Sequence, residues 1–148
     1  MHRELITFEV ADQLFGIDIM AIREIRAWSP TARLPRVPAY VAGVVNLRGT
    51  VLPVVDLAAR LGWEPTEATP RHAIIVTQFA GQARGLIVDS VSDIVTVPGE
   101  SLQPPPSMAQ DGVMPFLEGL SAIDDRMVMV LNLAALNADS DEIPAIAA

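Results

Sequence analysis

The chain has 148 residues, no cysteine, a formal net charge of −8 and a pI near 4.5. The absence of cysteine excludes disulfides, thiol nucleophiles and Cys-ligated zinc or iron–sulfur sites, and the acidic balance argues against a nucleic-acid footprint, which needs a basic face. At 51% hydrophobic content a chain of this length buries roughly 70% of its unfolded surface as one domain.

From the N-terminus, Met1-His2-Arg3-Glu4 lacks the basic-then-apolar shape of a signal peptide, and no run of about 18 apolar residues follows, so a cytoplasmic location is expected. Leu5 to Val10 alternates as a strand, Ala11-Asp12-Gln13 reads as a turn, and Leu14 to Ile19 reads as the return strand of a hairpin. Ile22, Ile25 and Trp28 fall at three-residue steps, which predicts a short helical segment over Met20 to Trp28, closed by Ser29-Pro30. Pro35 and Pro38 keep the next stretch extended.

The run GVVNLRGTVLPVVDL, Gly43 to Leu57, follows. Two β-branched apolar stretches predict buried strands, and Asn46-Leu47-Arg48-Gly49 between them predicts a turn in which Gly supplies positive φ and Arg48 projects outward. Pro53, lacking an N–H, places its strand at an edge or a bulge. Ala58 to Gly62 predicts one helical turn closed by Gly. Residues 64–71 are polar and Pro-punctuated, a connector.

Beyond the connector the pattern repeats. At an offset of 69, Phe15-Gly16-Ile17-Asp18-Ile19 aligns with Arg84-Gly85-Leu86-Ile87-Val88; at an offset of 76, Val54 to Ala59 aligns with Val130 to Ala135. The slip falls around Pro104-Pro105-Pro106. Each half reads as a hairpin, a helical crossover, a Pro-rich link and a strand-turn-strand unit, which predicts two small closed or nearly closed barrels of about five strands sharing a core. The halves differ where function would be expected: Asn46-Leu47-Arg48-Gly49 in the first corresponds to Ala122-Ile123-Asp124-Asp125 in the second.

All ten basic residues are Arg. Genome base composition suffices to explain that choice; the functional reading is that Arg23, Arg26, Arg33, Arg36 and Arg48 cluster on a surface suited to a partner's carboxylates. Catalytic signatures are missing: there is no phosphate loop, no GxSxG and no HExxH, and His2 and His72 lie 70 residues apart. His72 is expected to be solvated. Asp56 and Asp89 directly follow apolar strands, where a carboxylate caps a turn more often than it performs acid–base chemistry. No enzymatic activity, metal or cofactor is expected, and a small-ligand-binding β-barrel sensor is the alternative.

Four ordered blocks carry a family resemblance: FGIDIMAIREIR from Phe15, GVVNLRGTVLPVVDL from Gly43, GLIVDSVSDIVTVP from Gly85 and FLEGLSAIDDRMVMVLNL from Phe116. Together they resemble the CheW-like chemotaxis coupling proteins over roughly residues 4–137. The acidic tail over 138–148 lies outside the resemblance and is expected to be disordered. The resemblance implies an all-β fold of two intertwined SH3-like five-stranded β-barrels with short helical crossovers, and a single domain over 1–137 with its crossover near 64–71. It implies a stand-alone, non-enzymatic adaptor joining methyl-accepting chemoreceptors to the regulatory domain of a CheA-type histidine kinase, reaching the membrane only through receptors. The receptor-facing positions would be Ile22 and Glu24 on the crossover helix, Gly43 at the strand start, and Asn46, Arg48 and Gly49 on the turn. Glu24 is expected to accept from Arg48 and hold its guanidinium in place. Kinase-facing residues are not identified. Ser90 stands where family members often carry Gly.

Overall fold

The computed structural model describes residues 2–98, 102–104, 114–123 and 125–137. The expectations placed on Pro105, Pro106, Asp124 and the tail over 138–148 lie outside the described residues.

Four hairpins build the molecule. Strands β1 (His2–Val10) and β2 (Gln13–Asp18) meet at Ala11 and Asp12, both at positive φ. Strands β4 (Val41–Leu47) and β5 (Thr50–Asp56) meet at Arg48 and Gly49, and β6 (Ala73–Phe79) and β7 (Gln82–Val88) meet at Ala80 and Gly81, again with positive φ at both central residues. Two left-handed residues in a two-residue loop match the right-handed twist of the strands they join. The fourth hairpin is β9 (Leu117–Ile123) with β10 (Arg126–Leu131). Single helical turns α1 (Leu57–Arg60) and α2 (Leu133–Leu136) follow β5 and β10. Gly62, at φ 89, lies just past α1, at the place the sequence predicts for a closing glycine.

The predicted helical crossover is corrected. A 3-10 turn occupies only Ile19–Ala21, capped by the Asp18 carboxylate accepting from the Met20 N–H, and β3 runs over Ile22–Ala27. Side chains along β3 alternate between half-buried and exposed, so the period is two. Pairing with β6 from Ile22↔Thr77 to Ala27↔Ala73 overrides the three-residue spacing of the apolar side chains. Pro53 is also not on an edge strand, because β5 lies between β4 and β7. It sits one residue before the parallel ladder with β7, which begins at Val54↔Gly85, and opposite a stretch of β4 that carries a bulge between Val41 and Gly43.

With β8 (Ser90–Pro98), the strands form two five-stranded sheets, ordered β8-β1-β2-β10-β9 and β3-β6-β7-β5-β4. Exchanging each strand for its counterpart in the other half converts one order into the other. The registers follow suit. Phe8↔Phe15 corresponds to Thr77↔Arg84, Val130↔Gly16 to Val54↔Gly85, and Gly119↔Val130 to Gly43↔Val54. Because β3 leaves its own hairpin to pair with β6, while β8 pairs with β1, the halves are interlaced.

Each sheet wraps an apolar cluster of its own, Val45, Leu52, Val54, Ile74, Val76 and Ile87 in one and Leu5, Leu14, Val97, Val128 and Val130 in the other. A third cluster lies at the seam, where Phe8, Phe15, Leu57, Leu61, Leu131, Leu133 and Leu136 draw on both halves. Phe8 and Phe15 stack there at 6.0 Å between centroids. Isolated bridges, Ala32↔Val44 and Gln103↔Leu120, draw the segment beyond each sheet's first outer strand onto its last hairpin.

Candidate partner-binding site

The β4–β5 turn is held by its own residues. The Asn46 side-chain oxygen accepts from the Gly49 N–H at 2.8 Å, fixing the loop, with Arg48 at φ 51 and Gly49 at φ 86. That geometry throws the Arg48 side chain outward, where it is 70% exposed. It meets Glu24 on β3, donating through Nη2 to Oε1 at 2.5 Å. The two residues come from opposite edges of the sheet order, so the contact spans the gap between β3 and the β4–β5 hairpin. This is the pairing anticipated from the sequence, although Glu24 stands on a strand rather than a helix.

The hydrogen bond from Arg48 is the main cause holding the Glu24 carboxyl below its ordinary range, with the charges of Arg48, Arg26 and Arg23 pulling in the same direction. The same bond raises Arg48. Three of the five arginines predicted to cluster therefore lie close enough to act on Glu24. Arg33 and Arg36 stand exposed in the loop between β3 and β4. Chemically the site offers a fixed planar cation with open hydrogen-bonding edges, a carboxylate beside it, and further positive charge behind.

The other predicted positions divide. Ile22 is half-buried and packs against the seam cluster, so much of its side chain is already committed to the core. Ile25, three residues on, is 40% exposed on the same strand. Gly43, third residue of β4 rather than its start, has an architectural reason to be glycine: a Cβ there would stand 2.2 Å from the Ala32 carbonyl oxygen. Gly49 has open space around it and owes its identity to φ alone.

Of the two carboxylates expected to cap turns, Asp89 bonds the β1–β2 turn, whereas Asp56, just before α1, makes no side-chain cap bond to that helix and instead ties down the connector. Asp56 accepts from the Thr66 N–H at 2.7 Å and its hydroxyl at 2.8 Å, and Asp89 accepts from the Ala11 N–H at 2.8 Å. His72 is not freely solvated as expected. Its Nδ1 accepts from the Thr69 N–H at 3.0 Å and its Nε2 faces Asp89 at 3.5 Å, so the ring fastens the connector to the end of β7.

One feature escaped the sequence reading. Arg3 on β1 makes a forked contact to Glu118 on β9, at 2.7 and 3.1 Å, and lies 3.5 Å from Asp18. These charges line a cleft of about 500 Å³ between the sheets, with Met20 and Phe79 as apolar walls. The three groups are 115 and 15 positions apart, and no local spacing signals that they meet.

Comparison with known proteins decides the family. The CheW-like domain profile matches residues 4–140. The chain belongs to the CheW-like domain family. It is 50% identical over 139 residues to a probable chemotaxis protein CheW of Rhizobium etli, covering 94% of this chain and 90% of that one. It is 52% identical over 131 residues to the chemotaxis protein CheW of Rhizobium meliloti, covering 88% and 84%. The crystal structure of the scaffolding protein TtCheW from Thermoanaerobacter tengcongensis superposes with a TM-score of 0.83 at 32% identity, covering 92% of this chain and 88% of that one. The nearly all-β architecture expected from the sequence is therefore the CheW architecture. Among the described residues no helix is long and apolar enough to cross a membrane.

Proposed function

We propose that this CheW-like chain is a non-enzymatic adaptor that couples the cytoplasmic tips of methyl-accepting chemoreceptors to the regulatory domain of a CheA-type histidine kinase. It acts in the cytoplasm and reaches the membrane through the receptors it binds. The observation that carries this reading is the Arg48–Glu24 pair on its self-braced turn, in a domain whose relatives are named as chemotaxis proteins and a scaffold. An exposed Arg costs little to keep in the free protein and becomes an anchor when a partner covers it. Asn46 and Gly49 set the turn, Glu24 holds the guanidinium, Gly43 admits the Ala32 segment behind it, and the exposed part of Ile22 supplies apolar area alongside.

The test is a pull-down against the organism's receptor cytoplasmic fragments and its CheA-like kinase, with Arg48→Asp run in parallel. Binding of both partners by the parent chain is expected, with receptor binding lost and kinase binding kept in the variant. The thermal midpoint should stay nearly unchanged, because an exposed charge contributes little to folding. A large stability loss in the variant removes Arg48 as an interface residue, and failure of the parent to bind either partner removes the adaptor reading. The cleft beside Arg3 favours one second reading, small-ligand binding. A metabolite that raises the melting temperature with no protein partner present supports it.

A further inference from the structure

The duplicated architecture puts at its seam a cationic residue, Arg60, that the second half does not repeat. Tyr40 and Phe116 are equivalent: the Tyr40 carbonyl accepts from the Asp56 N–H and the Phe116 carbonyl from the Asn132 N–H, both at 2.8 Å and both with the same spacing in the chain. Arg60, at the end of α1, lies over both rings, its guanidinium carbon 4.7 Å from the Tyr40 centroid and 4.5 Å from that of Phe116. Its Nε and Nη2 donate to the Leu136 carbonyl at 3.4 and 3.2 Å. Leu136 is the residue of α2 that corresponds to Arg60 in α1. One side chain thus touches the equivalent aromatic residue of each half and the backbone of its own counterpart.

We propose that Arg60 is a positioning residue, a clasp that sets the angle between the β4-β5-α1 unit and the β9-β10-α2 unit. The apolar cluster at the seam is aliphatic and aromatic, and such contacts resist separation more than sliding, being non-directional. A planar cation over two rings that also donates to the last carbonyl of a helix is directional, and it meets the partial negative charge of that helix end. The alternatives at this site are poorer: leucine supplies area without direction, and lysine a point charge without a plane. For the adaptor reading, on which this consequence rests, the clasp keeps the turn at Arg48 in fixed orientation to whatever surface the second half presents. Two partners are then held together in one geometry rather than tethered loosely.

The absence of cysteine allows a direct test. Thr50→Cys and Met127→Cys place one spin label on an exposed position of each half, and pulsed dipolar spectroscopy reads the distance between them. With Arg60 present, one narrow distribution is expected. Arg60→Leu should broaden or shift it while circular dichroism stays that of the parent, and Phe116→Leu should do the same more weakly. Hydrogen exchange at the Leu136 amide, bonded to Asn132, should rise roughly tenfold, the scale expected for one lost cation–π and charged hydrogen-bond set. A folded Arg60→Leu protein with an unchanged distribution overturns the clasp. If that variant does not fold, Arg60→Lys decides: broadening supports the clasp and the parent's narrow distribution overturns it. In a three-way mixture, Arg60→Leu should keep binding to receptor fragment and to kinase singly but form less of the complex containing both. If the unmutated chain binds neither partner, the adaptor reading falls while the distance measurement still judges the clasp.

Discussion

The turn between β4 and β5 and the turn at Asp125 between β9 and β10 occupy equivalent places in the two sheets, yet they carry opposite charge. In the first, Arg48 projects from a left-handed backbone and pairs with Glu24 on β3. In the second, Asp125 adopts φ 66 where the first half has Gly49, and the strand residue equivalent to Glu24 is Asp93, whose carboxylate turns back to its neighbour's N–H at Ile94. An internal duplicate of this kind separates two kinds of requirement. What both halves keep, despite divergent sequence, is what the fold demands. What one half alone carries is free to serve a partner. By that standard the left-handed turn and the glycine near the start of β4 and β9 are architecture, while Asn46, Arg48 and Glu24 are the candidates for binding.

The comparison is most easily broken at those glycines. Gly43 and Gly119 face the same obstacle, the chain that bridges onto each hairpin: a Cβ would lie 2.2 Å from the Ala32 carbonyl oxygen in one case and 2.6 Å from that of Gln103 in the other. Gly43 also sits at φ 140. We expect Gly43→Ala to cost about 3 kcal/mol, since backbone must move rather than a side chain end, and Gly119→Ala somewhat less. Urea unfolding of both variants checks this. A near-native midpoint for Gly43→Ala transfers that residue from architecture to binding.

Much of this was legible in the chain itself. Alternating strands, the Asn46–Gly49 turn, the Gly62 stop and the offsets of 69 and 76 all rest on local patterns, and the offsets anticipate the sheet registers residue by residue. The segment after Asp18 was misread because Ile22, Ile25 and Trp28 satisfy a helical spacing by accident. Which period wins there depends on β6, some fifty residues away, offering a strand to pair with. Of the two readings of Pro53, the edge fails for a related reason, since strand order is a property of the whole sheet, while a bulge does lie close by on β4. The Glu24–Arg48 pairing could be guessed from opposite charge. The Arg3, Asp18 and Glu118 grouping could not, because three ordinary surface charges at unrelated positions leave no signature, and Arg60 resembled an ordinary helix-end cation.

Gly49 sharpens the same comparison with a smaller effect. Its surroundings are empty, so a side chain meets no clash, and the only penalty comes from φ 86. Gly49→Val should cost about 2 kcal/mol because a β-branched residue tolerates that region poorly. The second half shows what is acceptable instead: Asp125 takes the equivalent place at φ 66. Gly49→Asn or Gly49→Asp should therefore lie within about 0.5 kcal/mol of the parent, since these two side chains visit the left-handed region more readily than others. Equal losses for Val and Asn in thermal unfolding refute the backbone explanation and point to a requirement for glycine itself.

The smallest expected effect concerns the charge pair, where the two halves differ most. Arg48 lowers the Glu24 carboxyl pKa, mainly through the hydrogen bond. A carboxylate whose folded pKa lies below its unfolded value, near 4.3 for an ordinary Glu, adds stability that is fully present above the unfolded value and is lost as pH falls through the folded one. The window therefore lies on the acid side, and the contribution to folding is slight because both groups face solvent. Carboxyl-carbon NMR of Glu24 should show titration below the ordinary range in the parent and a return toward it in Arg48→Ala. Some depression should survive in that variant, since Arg26 and Arg23 also act on the carboxylate. An unchanged Glu24 titration in Arg48→Ala means that the hydrogen bond is not what holds this carboxyl down, and the ion pair is then not a separable local device on the first half.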